Sequence, residues 1–145
     1  MIPVANRQRR VSVGAAQVRA VVSAVFAAED GGEPNISVAL VNDAVIREIN
    51  REQLEHDWAT DSIAFDYSDD PAPDGLAGEV IVSAETALRE AETRNKSPEH
   101  ELLLYVAHGT LHLLGWDDDT TEKRTRMNTR AATILRQAGI EARPR

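Results

Sequence analysis

Cysteine is absent from the 145-residue chain. That excludes a disulfide framework, a thiolate metal site and a cysteine nucleophile, so any metal has to be held by imidazole and carboxylate. Long apolar runs are missing too: no stretch approaches the roughly 20 residues of a membrane span. The basic segment 1–10 lacks the apolar core of a secretion signal, which points to a cytoplasmic protein. Positive charge is scarce. Lys and Arg number 16 against 24 Asp and Glu, a net charge of -8 that argues against binding nucleic acid by bulk charge alone. The deficit is uneven. Segment 121–145 holds seven basic residues (Lys123, Arg124, Arg126, Arg130, Arg136, Arg143, Arg145) and two acidic ones, net +5, which leaves -13 for the rest. That run reads either as a solvated helix face or as a phosphate-contacting strip. Internal repeats and low-complexity tracts are also lacking.

What is present is the balance of one globular domain, 42% apolar and 28% charged, in a chain long enough to bury its own core. A short strand is predicted over residues 2–4. Val18, Val21, Val22, Val25 and Phe26 recur at helical spacing and predict a helix over 15–28, ended by Asp30-Gly31-Gly32. The alternating, β-branched segment 35–41 reads as a strand. Asn42 or Asp43 can cap the next helix, to about Leu54, with Val45, Ile46 and Ile49 buried. Strands are predicted over 60–67 and 78–83 as an antiparallel pair, separated by a loop rich in Pro and Asp, and a helix follows to about Arg94. Ser97 and Pro98 open another helix, apolar on most sides through Leu102, Leu103, Leu104, Val106, Leu111, Leu113 and Leu114, which marks it as central and buried. Gly115 is placed to end it. Asp119 and Glu122 have capping-box spacing for a last helix, to about Ala138, stopped by Gly139. The class is α+β: a small mixed sheet of about four strands packed with several helices.

The chemistry concentrates at the end of the apolar helix. His108 and His112 are four apart, so their imidazoles share one face and can converge on one ion. Gly115 turns the chain, and an acidic residue beyond it can swing back as third ligand. Asp118 is preferred to Asp117, although the sequence barely separates them, and Asp119 is assigned to capping. Three protein ligands leave a position for water, as a catalytic zinc site requires. The alternative is a pair of ordinary histidines on a half-buried helix. Extended zinc-protease motifs share this spacing but carry Glu after the first His as general base. Gly109 stands there and cannot take a proton, which disfavours a metallopeptidase.

The run His108-Gly109-Thr110-Leu111-His112-Leu113-Leu114-Gly115-Trp116-Asp117-Asp118 resembles the H-G-x-L-H-L-x-G-Y-D-H signature of the YbeY endoribonuclease family. Three other stretches are similar to family blocks, in the family's order. They are Val4-Ala5-Asn6-Arg7-Gln8, the segment from Glu48-Ile49-Asn50 through Thr60-Asp61-Ser62-Ile63-Ala64-Phe65, and Gly78-Glu79-Val80-Ile81-Val82-Ser83. The resemblance implies a single α+β domain over 1–145 and one Zn²⁺ per chain, held where His108, His112 and Asp118 stand. It also implies single-strand-specific endoribonuclease activity in 16S rRNA 3′-end maturation and ribosome quality control. The implied partners are rRNA and the small ribosomal subunit with its proteins, with no membrane and no DNA. The chain departs from the family at Asp118, where the third metal ligand is His. It departs again at Leu54, where an Arg is common, and at Glu79 and Trp116 in place of Asp and Tyr.

Read as an enzyme, the chain would pass RNA across a cleft bounded by Thr60 and Asp61. Thr60 fits a strand-start hydrogen bond equally well. Asp61 is either an acceptor behind a ligating His or a solvated carboxylate. Arg51 is either a phosphate contact or a plain helix-surface residue, and no residue stands out as general base. The competing reading is a ribosome-assembly or binding factor whose metal is structural.

Overall fold

The computed structural model of the chain describes residues 1–54, 61–70 and 72–140, except the side chains of 53 and 54. In chain order the elements are β1 (Val4–Asn6), α1 (Ala15–Ala28), β2 (Ile36–Val41), α2 (Asp43–Leu54), β3 (Ser62–Asp66), β4 (Gly78–Ser83), α3 (Ala84–Arg94), α4 (Pro98–Leu113) and α5 (Thr121–Gln137). The sheet order is β1-β2-β4-β3, with β1, β2 and β4 parallel and β3 antiparallel at one edge. This is the α+β architecture with a mixed four-stranded sheet.

Alternation along β2 and β4 sorts their side chains onto two faces. Ile36, Val38, Leu40, Val80 and Val82 face the main core, which they share with the valines and Phe26 of α1 and with α4. Val41, Ile46, Ile63 and Ile81 form a smaller cluster on the other face, beneath α2. Residues Glu101 to Leu111 of α4 are all buried, as expected of a helix apolar on every side. Gly109 allows that helix to lie close on the sheet: a Cβ there would stand 2.5 Å from Val80 Cγ1.

The helix ends follow their local chemistry. The Ser97 hydroxyl accepts from His100 N–H at 3.4 Å, with Pro98 in the first turn of α4. At the other end the N–H of Gly115 donates to His112 C=O (3.1 Å) and that of Trp116 to Leu111 C=O (3.0 Å). This is a Schellman turn, closed by the positive φ of +100° that glycine tolerates. It reverses the chain so that residues 116–118 pass back alongside the last turn of α4.

Several details differ from the sequence expectations. The first strand starts at Val4, not Ile2, because Pro3 has no N–H to give the ladder; its carbonyl accepts Val38 N–H at 2.9 Å and pairing begins there. β3 spans Ser62–Asp66, within the predicted 60–67, and Thr60 lies outside the described residues. Val45 is 45% exposed. Among the described residues, α2 covers the outer sheet face and buries Ile46 and, partly, Ile49. Val45 is turned toward a shallow groove it shares with Pro3, Ala5 and Arg7. The cap of α5 is Thr120, whose hydroxyl accepts Lys123 N–H at 3.1 Å, so Asp119 does not cap. Both residues have the right chemistry; Asp119 instead pairs with Lys123 at 3.2 Å.

Candidate metal centre

The last two turns of α4 present His108 and His112 on one side, with ring centroids 5.1 Å apart and ring planes at 68°. His108 is 9% exposed and lies against α5; His112 is more open. The Schellman turn brings Asp118 to them. Its Oδ2 stands 3.3 Å from His108 Nε2 and 3.2 Å from His112 Nε2. One ligand atom from each of the three residues lies within 4.8 Å of the others, a group that can hold a metal ion. Asp61, Asp117 and Asp119 lie outside that group.

The other ring nitrogens fix the tautomers. His112 Nδ1 donates to the Trp116 carbonyl at 3.1 Å, since a carbonyl only accepts. His108 Nδ1 donates to Asn128 Oδ1 at 3.1 Å. With Nδ1 as the donor, each imidazole can offer its Nε2 as a metal ligand on the side where Asp118 Oδ2 stands, so three potential ligand atoms converge. A cation resolves this arrangement. Tetrahedral bonds of about 2.0–2.1 Å separate ligand atoms by about 3.3–3.4 Å, close to the two N···O distances found. The donor set fits zinc, with imidazole and carboxylate ligands and no thiolate.

Asn128 and the Trp116 carbonyl escaped sequence reasoning. The only signal for Asn128 is a poor helix former beside the buried Met127 of α5; for the carbonyl there is none. Asp117 and Asp118 are now distinguished. The Asp117 carboxylate accepts the N–H of Asp118 at 3.0 Å and faces Lys123 at 3.7 Å, away from the histidines. Asp61 lies just before β3, half-buried, and its carbonyl accepts Ser83 N–H at 2.9 Å. Arg51 pairs with Glu48 on the surface of α2. Among the basic residues of α5, Lys123 pairs with Asp117 and Asp119, Arg126 with Glu122, and Arg130 with Glu29. Arg143 and Arg145, like Thr60 and the side chain of Leu54, are outside the described residues. No helix among the described residues is long and apolar enough to cross a membrane.

Comparison with known proteins gives a consistent picture. A family model described as Endoribonuclease YbeY matches residues 3–139. A protein of that name from Rhodopirellula baltica is 41% identical over 120 residues, 81% of this chain and 61% of that protein. One from Anaeromyxobacter sp. (strain Fw109-5) is 37% identical over 126 residues, 87% of this chain and 66% of that protein. One from Moorella thermoacetica is 38% identical over 130 residues, 83% of both chains. The chain thus spans 61% and 66% of the length of the first two relatives. The solution structure of TM1509 from Thermotoga maritima shares the fold, with a TM-score of 0.60, 23% identity, and coverage of 94% of this chain and 91% of that one.

Proposed function

The chain belongs to the YbeY endoribonuclease family, and on that premise we propose that it is a zinc-dependent, single-strand-specific endoribonuclease acting in 16S rRNA 3′-end maturation and ribosome quality control. The observation that carries this reading is the convergence of His108 Nε2 and His112 Nε2 on Asp118 Oδ2 at 3.3 and 3.2 Å, with both Nδ1 atoms hydrogen-bonded elsewhere. His108, His112 and Asp118 would hold one Zn²⁺ per chain. Bound there, the ion supplies Lewis acidity toward a phosphodiester oxygen and lowers the pKa of water. Asn128 and the Trp116 carbonyl keep the imidazoles in the ligating tautomer and orientation. Asp61, just before β3, and Thr60, which lies outside the described residues, are the candidate cleft residues. The protein works in the cytoplasm on rRNA of the small ribosomal subunit, as one hydrolase domain over 1–145.

A peptidase reading lacks its base, since Gly109 has no side chain. A ribosome-assembly factor with a structural metal is separated by experiment. Elemental analysis of purified protein should find one zinc per chain, lost in Asp118→Ala. Chelation should abolish cleavage of a single-stranded RNA and zinc should restore it, while His112→Ala stays folded and inactive. Cleavage indifferent to chelator would overturn the metal mechanism, and melting of the fold on metal loss would favour the structural role.

A further inference from the structure

A pocket of about 350 Å³ opens between the end of α4 and the first turns of α5, and it shares Trp116 with the histidine site. It is lined by Leu114, Gly115, Trp116, Asp117, Lys123 and Arg126. Resting on the endoribonuclease reading above, we infer that this pocket is a nucleobase subsite. In it Trp116 offers the stacking surface for a base next to the scissile phosphate, and Lys123 and Arg126 hold the adjoining phosphate.

The argument begins with Trp116, which belongs to both sites at once. Its carbonyl accepts the His112 Nδ1 proton, and the residue lines the pocket with its indole only partly buried against the core. A base resting on the indole is therefore tied to the metal site through one residue. The indole is held rigidly. Its Nε1–H donates to Glu29 Oε1, and Glu29 Oε2 accepts from Arg130 Nε at 2.9 Å and Nη2 at 2.7 Å. Arg130 also donates to the Ala28 carbonyl at 3.2 Å, so the clamp is anchored in the end of α1. With its one polar atom used, the indole has only carbon and π surface left to offer a ligand.

Gly115 keeps the mouth clear: a Cβ built there meets nothing within 4 Å. Lys123 and Arg126 bring the positive charge that the chain as a whole lacks. Their partners, Asp117, Asp119 and Glu122, are exposed, and exposed ion pairs are weak enough for a phosphate oxygen to displace them. An aromatic surface flanked by cations is the chemistry of single-stranded nucleic acid recognition. The volume, at the low end of ligand pockets of about 300–1,000 Å³, suits one planar ring system. A base paired and stacked inside a duplex cannot enter, which gives single-strand preference a physical cause.

The test uses zinc-loaded protein and a fluorescein-labelled, non-cleavable 2′-O-methyl single-stranded oligonucleotide. It is compared with versions carrying one abasic residue at each position in turn, with binding read by anisotropy. Base–aromatic stacking of about 1–3 kcal/mol corresponds to a loss of about 5- to 150-fold. The unaltered protein should lose affinity within that range for one abasic position. Trp116→Ala should lose the same factor on the intact oligonucleotide and nothing further on the abasic one. Trp116→Phe should recover most of the affinity while retaining zinc. On cleavable RNA, Trp116→Phe and Lys123→Ala should raise KM more than they lower kcat.

Equal binding of intact and abasic oligonucleotides by the unaltered protein overturns the subsite, whether or not Trp116→Ala folds. An equal loss for both oligonucleotides in Trp116→Phe overturns it too. Cleavage without any base dependence sinks the subsite and leaves the endoribonuclease reading standing. Base-dependent binding without cleavage sinks the endoribonuclease reading and leaves the subsite.

Discussion

Replacing Gly109 by Ala should destabilise the fold, even though helix propensity favours the change by about 1 kcal/mol. The added Cβ would stand 2.5 Å from Val80 Cγ1, with Cγ2 at 3.4 Å and Cβ at 3.5 Å. A relaxed carbon–carbon contact is about 3.5–4.0 Å. Val80 is fully buried in β4, and its register neighbours are Val38 in β2 and Ala64 in β3. Its β-branched side chain has few rotamers to escape into. Overpacking of this kind costs about 1–3 kcal/mol, and the upper half of that range applies to a partner that can neither rotate nor retreat. Net of propensity, Gly109→Ala should cost about 1–2 kcal/mol, or roughly 2–8 °C in Tm for a domain of this size.

A double-mutant cycle isolates the cause. Val80→Ala alone leaves a cavity and destabilises. In that background the Gly109→Ala methyl fills the vacated space, so its effect should reverse sign, giving a coupling above about 1 kcal/mol. Urea denaturation of the four proteins measures it. A rise in stability on Gly109→Ala in the native background, or the same effect in both backgrounds, would refute the reasoning. The consequence for function is direct. The position where related zinc motifs carry a Glu is here the contact point between helix and sheet, so Gly109→Glu should disrupt packing and should not create a peptidase.

Asn128→Ala removes the acceptor behind His108 Nδ1; zinc affinity, measured by competition with a chelating dye, should fall about 10- to 100-fold with helix content unchanged, and an unchanged affinity would contradict the assigned role. Asp43 provides a pH test. Burial pushes its carboxyl up, but hydrogen bonds from Ser83, Arg89 and Thr86 outweigh that and hold it below the usual range. The stability it contributes is therefore present above the ordinary carboxylate value of about 3.9 and is lost as pH falls through the lower folded-state value. The urea midpoints of the native protein and Asp43→Asn should differ most near neutral pH and converge in acid; a gap constant with pH would disprove it.

Where one local signal dominated, the sequence was readable. The uninterrupted apolar surface of α4 required a helix wrapped on all sides, and Leu102 to Leu111 are indeed buried. The four-residue spacing of His108 and His112, followed by Gly115 and an acidic turn, was enough to assemble the candidate site. Errors arose where two neighbours offered the same chemistry or where the answer lay in tertiary contacts. Asp119 and Thr120 both cap helices well, and which one does so depends on how far the turn after Gly115 carries the chain. Val45 is apolar at helical spacing, but its burial depends on how much of the outer sheet face one helix can cover. Asn128 lies 20 residues from His108 on a separate helix, and no periodicity links them.

A carboxylate at the proposed third ligand position would have an electrostatic consequence that bears on the basic run in α5. Two neutral imidazoles and one carboxylate around a dication leave a net charge of about +1, where three imidazoles leave about +2. In the proposed reaction a phosphodiester is therefore drawn less strongly to the ion, and more of the attraction has to come from side chains nearby. A helix turning about 100° per residue places Asn128 some 140–160° around α5 from Lys123 and Arg126. One side of α5 thus reaches His108 through Asn128, while the other brings Lys123 and Arg126 to the pocket beside Trp116. The net charge of -8 is no obstacle to an RNA substrate in this arrangement. The cations are concentrated on the helix that also orients the ligating histidine, and the anionic surplus lies in the rest of the chain. On the proposed subsite, Lys123 and Arg126 of the basic run would contact phosphate when RNA is bound and pair with exposed carboxylates without it.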